Sequence, residues 1–231
     1  MSQFSGFPQG YARFFQELAA NNNREWFEAH RKDYTRLIQE PAQTFVTTFG
    51  ERLHDISPDF QYDTRTNGGG SMTRINRDVR FSADKSPYNT HIGMVFWEGG
   101  RKRMENSGVF VNISAEGAML YIGWHIFPDV IINVYRDRVA SNGEGSKLES
   151  ILAAVRKAGF EVGGEHYKRV PAGYSADHPR ADLLKHNGLY VTSSELPPET
   201  VSSSQFIDLC FEQVRATAPL LKWLAKLDQA E

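Results

Sequence analysis

Apolar positions along the chain alternate between helical and extended spacing in a fixed order. After an irregular lead-in marked by Gly6, Pro8 and Gly10, the residues Phe14, Phe15 and Leu18 share one side of a helix predicted over Tyr11–Ala20. Asn21-Asn22-Asn23 breaks that pattern, and Asn23 is placed as the N-cap of a second helix. In that helix Trp26, Phe27, His30, Tyr34, Leu37 and Ile38 recur at three- and four-residue spacing. Pro41 interrupts it and suits the first turn of a third helix carrying Phe45, Phe49 and Leu53, which ends before Ser57-Pro58.

Beyond Asp59 the spacing becomes strand-like. Asn67-Gly68-Gly69-Gly70 reads as a loop. Strands are predicted at Ile92–Trp97, Gly108–Ile113 and Met119–Trp124, the last two joined by a hairpin at Ser114-Ala115-Glu116-Gly117. Helices follow over Pro128–Val139 and Lys147–Lys157, divided by Ser141-Asn142-Gly143-Glu144-Gly145. Phe160–Val162 and Leu189–Thr192 read as edge strands. A final helix is predicted over Glu199–Leu227, with Phe206, Leu209, Cys210, Val214, Leu221 and Leu224 on one stripe. No repeat or linker interrupts the 231 residues. The expected fold is one α+β domain over 1–231, with a central, mostly antiparallel sheet flanked by N-terminal and C-terminal helices.

Composition narrows the functional classes. With 40% hydrophobic and 12% aromatic residues, the chain has the material for a packed core. A net charge of −2 excludes a globally basic nucleic-acid coat. That total hides an asymmetry: residues 65–106 carry net +4 and the remainder −6. The single cysteine, Cys210, forms no intramolecular disulfide and falls on an apolar helical stripe, so it reads as core. The first eleven residues have neither the basic nor the apolar region of a secretory signal, and no run approaches the about 20 apolar residues that span a bilayer. The default expectation is a soluble cytoplasmic protein with no membrane partner.

Within the basic region, residues 71–91 read SMTRINRDVRFSADKSPYNTH and carry net +2 without histidine. If Met72–Phe81 is extended, Arg74, Asp78 and Arg80 share one face, and Arg77, Val79 and Phe81 the other. Guanidinium forks match carboxylate or phosphate oxygens. A turn at Lys85-Ser86-Pro87-Tyr88 would direct Lys85 and the Tyr88 hydroxyl back toward the arginines. The expected ligand-binding set is therefore Arg74, Arg77, Arg80 and Lys85, taking a small anionic molecule. Asp78, Tyr88 and His91 are the candidates for proton transfer if the protein is an enzyme. Two alternatives stand beside this reading. Phe81, Tyr88, Phe96 and Trp97 interleaved with cations also suit single-stranded nucleic acid, and Arg77-Asp78 with Asp84-Lys85 also suit a salt-bridge network that only braces the fold.

Other chemistry is weakly signalled. The seven histidines, His30, His54, His91, His125, His166, His178 and His186, lack metal-ligand spacing, so no metal is expected. Asn67–Ser71 lacks the endings of a P-loop or dinucleotide fingerprint, and no GxSxG elbow is present. Asp177-His178-Pro179 reads as a loop or helix start, and Trp26, Trp97, Trp124 and Trp223 as core. No cofactor and no oligomeric state is implied.

Several of these stretches together resemble a family of uncharacterised proteins, the domain of unknown function 2461. They are Asn21-Asn22-Asn23-Arg24-Glu25-Trp26-Phe27 with Tyr34, and Arg77-Asp78-Val79-Arg80-Phe81-Ser82-Ala83-Asp84-Lys85-Ser86-Pro87-Tyr88. Pro171-Ala172-Gly173-Tyr174, Asp177-His178-Pro179 and Leu183-Leu184-Lys185 complete the likeness. The resemblance implies a single-domain protein and carries no activity, cofactor or catalytic residue. The chain departs from the family's usual pattern at Asn76, where an aromatic residue is common, and at Asn89, where lysine is common. It is also less glycine-rich at Tyr121–His125.

Overall fold

The structure, a computed structural model, describes residues 4–67 and 69–228. The signal-peptide reading at Met1–Gln3 and the Gly68 position of the glycine loop lie outside the described residues. The fold is α+β, with a six-stranded antiparallel sheet and helices before, between and after the strands. The chain packs as two compact units. One comprises Met1–Phe96, Phe110–Leu120 and Glu195–Glu212, the other Trp97–Val109, Tyr121–Ser194 and Gln213–Glu231. Each draws on three separated stretches, so no single point along the chain divides them.

In the first unit, α1 (Tyr11–Ala20) forms where the apolar spacing places it and buries Tyr11, Phe14, Phe15 and Leu18. The second helix differs from the expected continuous one. It divides into α2 (Arg24–Ala29) and α3 (Arg31–Tyr34), and a π-helical turn (Thr35–Gln39) then runs without a break into α4 (Glu40–Leu53). At the division His30 leaves helical geometry, with φ −107° and ψ 12°. Its ring stacks on Trp26 at 4.0 Å. The π turn, closed by Glu40 N–H to the Thr35 carbonyl, shifts the bonding register just before Pro41, which has no N–H to continue an α-helical ladder.

The lead-in is irregular, as expected, and it is packed. Phe4 and Phe7 are buried, with Phe4 packed edge-on against Phe45 at 5.2 Å. Phe7 N–H bonds to the Val201 carbonyl at 3.0 Å. Phe45 stacks on Phe206 at 5.3 Å, and Phe49 meets Phe96 at 5.0 Å, so this core is largely phenyl rings in stacked and edge-to-face pairs.

The strands are β1 (Phe60–Gln61), β2 (His91–Glu98), β3 (Ser107–Ser114), β4 (Ala118–Trp124), β5 (Glu161–Glu165) and β6 (His186–Thr192). Their order is β1-β2-β3-β4-β6-β5. The β3–β4 hairpin turns at Ser114–Gly117 as expected, with Gly117 at φ +140° where a Cβ would strike the Leu196 carbonyl. Leu189–Thr192 is not an edge strand. It belongs to β6, paired on one side with β4 (Gly123 opposite Tyr190) and on the other with β5 (Gly163 opposite Tyr190). The edge expectation fails because a strand's partners are set by where remote segments dock, not by its own composition.

In the second unit, α5 (Asp129–Ala140) is followed almost at once by α6 (Asn142–Lys157). The glycine-bearing stretch read as a divider is thus mostly helix. Gly145 is there for close approach: a Cβ would lie 2.3 Å from the Val139 carbonyl oxygen and 2.4 Å from Arg180 Nε. Short α7 (Ala181–Leu184) precedes β6. Trp124, Phe127, Tyr135 and Trp223 form this unit's aromatic core, and the Tyr135 hydroxyl donates to the Leu183 carbonyl at 2.9 Å.

The expected C-terminal helix is two, α8 (Pro198–Val201) and α9 (Phe206–Ala225), separated by Ser202–Gln205. Cys210 lies on the buried stripe, whereas Leu209 is 39% exposed and off it. Burial drives the Cys210 thiol pKa well up. Trp124 and Trp223 are core, while Trp26 and Trp97 are half-exposed. Among the described residues no helix is long and apolar enough to cross a membrane, and no group of three His, Cys, Asp or Glu is placed to hold a metal ion.

Candidate functional site

The basic segment is a loop on a short paired stem. Ser71 and Thr73 pair with β2 through the Val95 N–H to Ser71 carbonyl bond (3.0 Å) and the Thr73 N–H to Gly93 carbonyl bond (2.8 Å). The chain then runs extended as expected. Arg74, Asn76, Asp78 and Arg80 are exposed, and Thr73, Ile75, Arg77 and Val79 are half-buried. Arg77 N–H reaches the Pro87 carbonyl at 2.9 Å, and Asn89 N–H reaches the Ile75 carbonyl at 2.7 Å. Pro87 thus serves only as an acceptor, the one ladder role open to a residue without N–H. The alternation stops at a turn over Arg80-Phe81, and Phe81, expected on the Val79 face, is 93% exposed.

Three consecutive asparagines each bond differently, and one of them holds this stem from afar. Asn21 ends α1 and returns its amide to the Glu17 carbonyl at 2.9 Å. Asn23 caps α2 by accepting the Trp26 N–H at 3.0 Å. Asn22 donates to the Tyr88 carbonyl at 2.9 Å and accepts the Tyr88 N–H at 3.1 Å. Its primary amide thereby mimics the edge of a neighbouring strand. Tyr88 is 5% exposed and stacks on Phe27 at 4.1 Å. The ring is a buried anchor packed on Phe27 of α2.

The loop charges fall into distinct environments. Asp78 holds Arg80 through two parallel bonds, Nε to Oδ1 at 2.9 Å and Nη2 to Oδ2 at 2.6 Å, and accepts the Arg80 N–H at 3.2 Å. The Arg80 side-chain bonds, its backbone N–H and the nearby charge of Arg74 lower the Asp78 pKa, so this carboxylate stays ionised and is a poor proton donor. Asp84 pairs with Arg77 and accepts the Ser86 N–H at 2.9 Å; Ser86 first, then Arg77, holds its carboxyl well below the usual range. Lys85 Nζ donates to the Val79 carbonyl at 2.9 Å. Asn89 donates to the Arg74 carbonyl at 3.1 Å. Among the described residues the Arg74 guanidinium has no ion-pair or hydrogen-bond partner. His91, half-buried at the start of β2, has its pKa lowered by burial and then by Arg77, which favours the neutral imidazole.

Arg74, Arg77, Arg80 and Lys85 thus lie on one loop, and the three proton-transfer candidates have different surroundings. Asp78 is locked to Arg80, Tyr88 is buried on Phe27, and His91 sits at the β2 end. The glycine-bearing loop is tied locally. Asn67 Oδ1 accepts the Gly69 N–H, and Gly70 closes against Arg65, where a Cβ would lie 2.5 Å from the carbonyl oxygen. Asp177-His178-Pro179 leads into a structural cap. His178 Nδ1 accepts the Arg180 N–H at 3.0 Å, and the buried Arg180 binds the Val139, Ala140 and Ser141 carbonyls at the end of α5.

Residues 11–223 match the model of a family described as a conserved hypothetical protein, DUF2461. The chain belongs to that family. The match spans both the asparagine triplet and the loop it clamps, and includes the Arg180 cap. Comparison with curated proteins gives no match. Sequence reasoning missed two features of this site, the Asn22 clamp and the outward Phe81. The tripled asparagine, more than one cap requires, is the only local signal of the first.

Proposed function

We propose that this DUF2461 protein binds a phosphate- or carboxylate-bearing partner through the 74–91 loop, with Arg74, Arg80 and Lys85 as the contacting cations. The half-buried Arg77 braces the loop through its pair with the exposed Asp84. The observation that supports this reading is the exposed Arg74 guanidinium, which among the described residues makes no hydrogen bond or close ion pair, on a stem pinned by backbone bonds and by Asn22. Arg80 is oriented by Asp78 in an exposed pair, with side chains 76% and 59% accessible, which an incoming anion can displace at little cost. The reading is one of binding.

Isothermal titration with inorganic pyrophosphate and with citrate at low salt tests it. Arg74→Ala and Lys85→Ala should each weaken binding about fivefold, the scale of one exposed charge contact. Arg77→Ala should instead lower the melting temperature. An unmodified protein that binds neither anion, or variants that bind as well as it does, would sink the proposal. The bracing network is favoured as a second reading by the Arg77–Asp84 pair. It predicts that Asp84→Asn loosens the loop while Arg74→Ala changes nothing measurable.

A further inference from the structure

Among the described residues Phe81 is the one aromatic side chain held almost entirely in water, at 93% exposed. Leaving a phenyl there forgoes about 1.5–3 kcal/mol of burial. The loop does not leave it slack. On one side Asp78 fixes the Arg80 backbone and guanidinium, and on the other Ser82 N–H reaches the Val79 carbonyl at 3.4 Å while Lys85 grips the same carbonyl at 2.9 Å. The Arg80 guanidinium carbon lies 5.8 Å from the ring centroid, so a positive charge accompanies the ring. A network that only braces the fold has no use for a phenyl at its tip.

We infer that the partner of this loop is a single-stranded nucleic acid, with a base stacked on Phe81 and phosphates taken by Arg74, Arg80 and Lys85. This rests on the anion-binding reading above and narrows it. Stacking is sequence-tolerant because every base has a π-face, and cations beside an aromatic platform suit a flexible phosphodiester strand. A small metabolite fits less well. Asp78, Arg80, Phe81, Ala83, Asp84 and Lys85 are all exposed, which is the surface of a projecting loop, whereas small ligands need concave sites that enclose them. A polymer compensates by contacting successive residues. An anionic membrane fits less well too, since only one large apolar side chain projects and Asp78 and Asp84 flank it.

Fluorescence anisotropy with labelled oligothymidylate, oligouridylate and an abasic phosphodiester strand, each about 12 nucleotides, separates base stacking from phosphate contact. The protein should prefer the base-bearing strands. Phe81→Ala should weaken them about 5- to 150-fold and leave the abasic strand unaffected, while Phe81→Tyr retains binding. Arg74→Ala should weaken all strands, and three phosphate contacts give a log–log salt slope of about −2. Unequal effects on the thymidylate and uridylate strands would assign the natural partner to DNA or RNA. Equal binding of base-bearing and abasic strands, indifferent to Phe81→Ala, overturns the inference but leaves anion binding standing. Absence of binding to any strand or to pyrophosphate overturns both. Phe81-dependent binding to phosphatidylserine vesicles without binding to strands overturns it in favour of a membrane. Phe81 is solvent-exposed, so an unchanged melting temperature shows that each variant is folded.

Discussion

Replacing Asn22 with alanine tests whether the clamp, rather than the loop's own ion pairs, holds the 74–91 segment. The substitution removes one donor and one acceptor from the backbone of Tyr88, a residue only 5% exposed. Each buried polar group left without its partner costs about 1–3 kcal/mol, and alanine escapes the entropy cost of ordering an asparagine side chain, so the expected loss is about 2–3 kcal/mol. For a chain of this size that is a fall in melting temperature of about 4–12 °C, readable by calorimetry. Hydrogen exchange should accelerate at Tyr88, Asn89 and Arg77 and remain unchanged in α9. Asn22→Asp sharpens the test. Its acceptor oxygen still serves the Tyr88 N–H, but its second oxygen faces the Tyr88 carbonyl and needs a proton to bond it. The folded pKa of the introduced carboxyl would therefore be raised, and the bond it restores would be present at acidic pH and lost as pH rises through that value. Measured against Asn22→Ala at each pH, Asn22→Asp should be the more stable in acid and lose that advantage toward neutrality. A melting temperature within about 1 °C of the original protein for Asn22→Ala, with unchanged exchange at Tyr88, would refute the clamp.

Arg180→Ala removes bonds to the Val139, Ala140 and Ser141 carbonyls and to Glu149; denaturant unfolding should show a loss of about 3–4 kcal/mol, with Arg180→Lys recovering part of it. Gly145→Ala, whose Cβ would lie 2.4 Å from Arg180 Nε, should destabilise the same corner rather than strengthen the helix as an ordinary glycine-to-alanine change would. Asp84, with its folded pKa lowered, contributes stability above the unfolded carboxylate value of about 3.9 that is lost as pH falls through the folded value. The stability difference between the original protein and Asp84→Asn should therefore be largest near neutral pH and shrink in strong acid. Cys210, buried on α9 with its thiol pKa raised, should react with a thiol reagent only after denaturation, and labelling of the native protein within minutes would contradict its placement.

What the sequence determined by itself is the structure made by residues near one another. The span of α1, the Asn23 cap, the hairpin at Ser114–Gly117 and the extended alternation from Thr73 to Arg80 all follow from side chains within one turn or one strand. The cations of the candidate site were legible for the same reason, being crowded into a few residues of one loop. Tertiary structure decided the rest. Asn22 becomes a clamp because the fold brings it to Tyr88, 66 residues away. Gly145 belongs in a helix because Arg180 and Val139 press on it. Leu189–Thr192 lies inside the sheet because β5 docks outside it. In each case a local preference worth a fraction of a kcal/mol gives way to buried hydrogen bonds or close contacts worth more, and those are made by distant partners that no local pattern encodes.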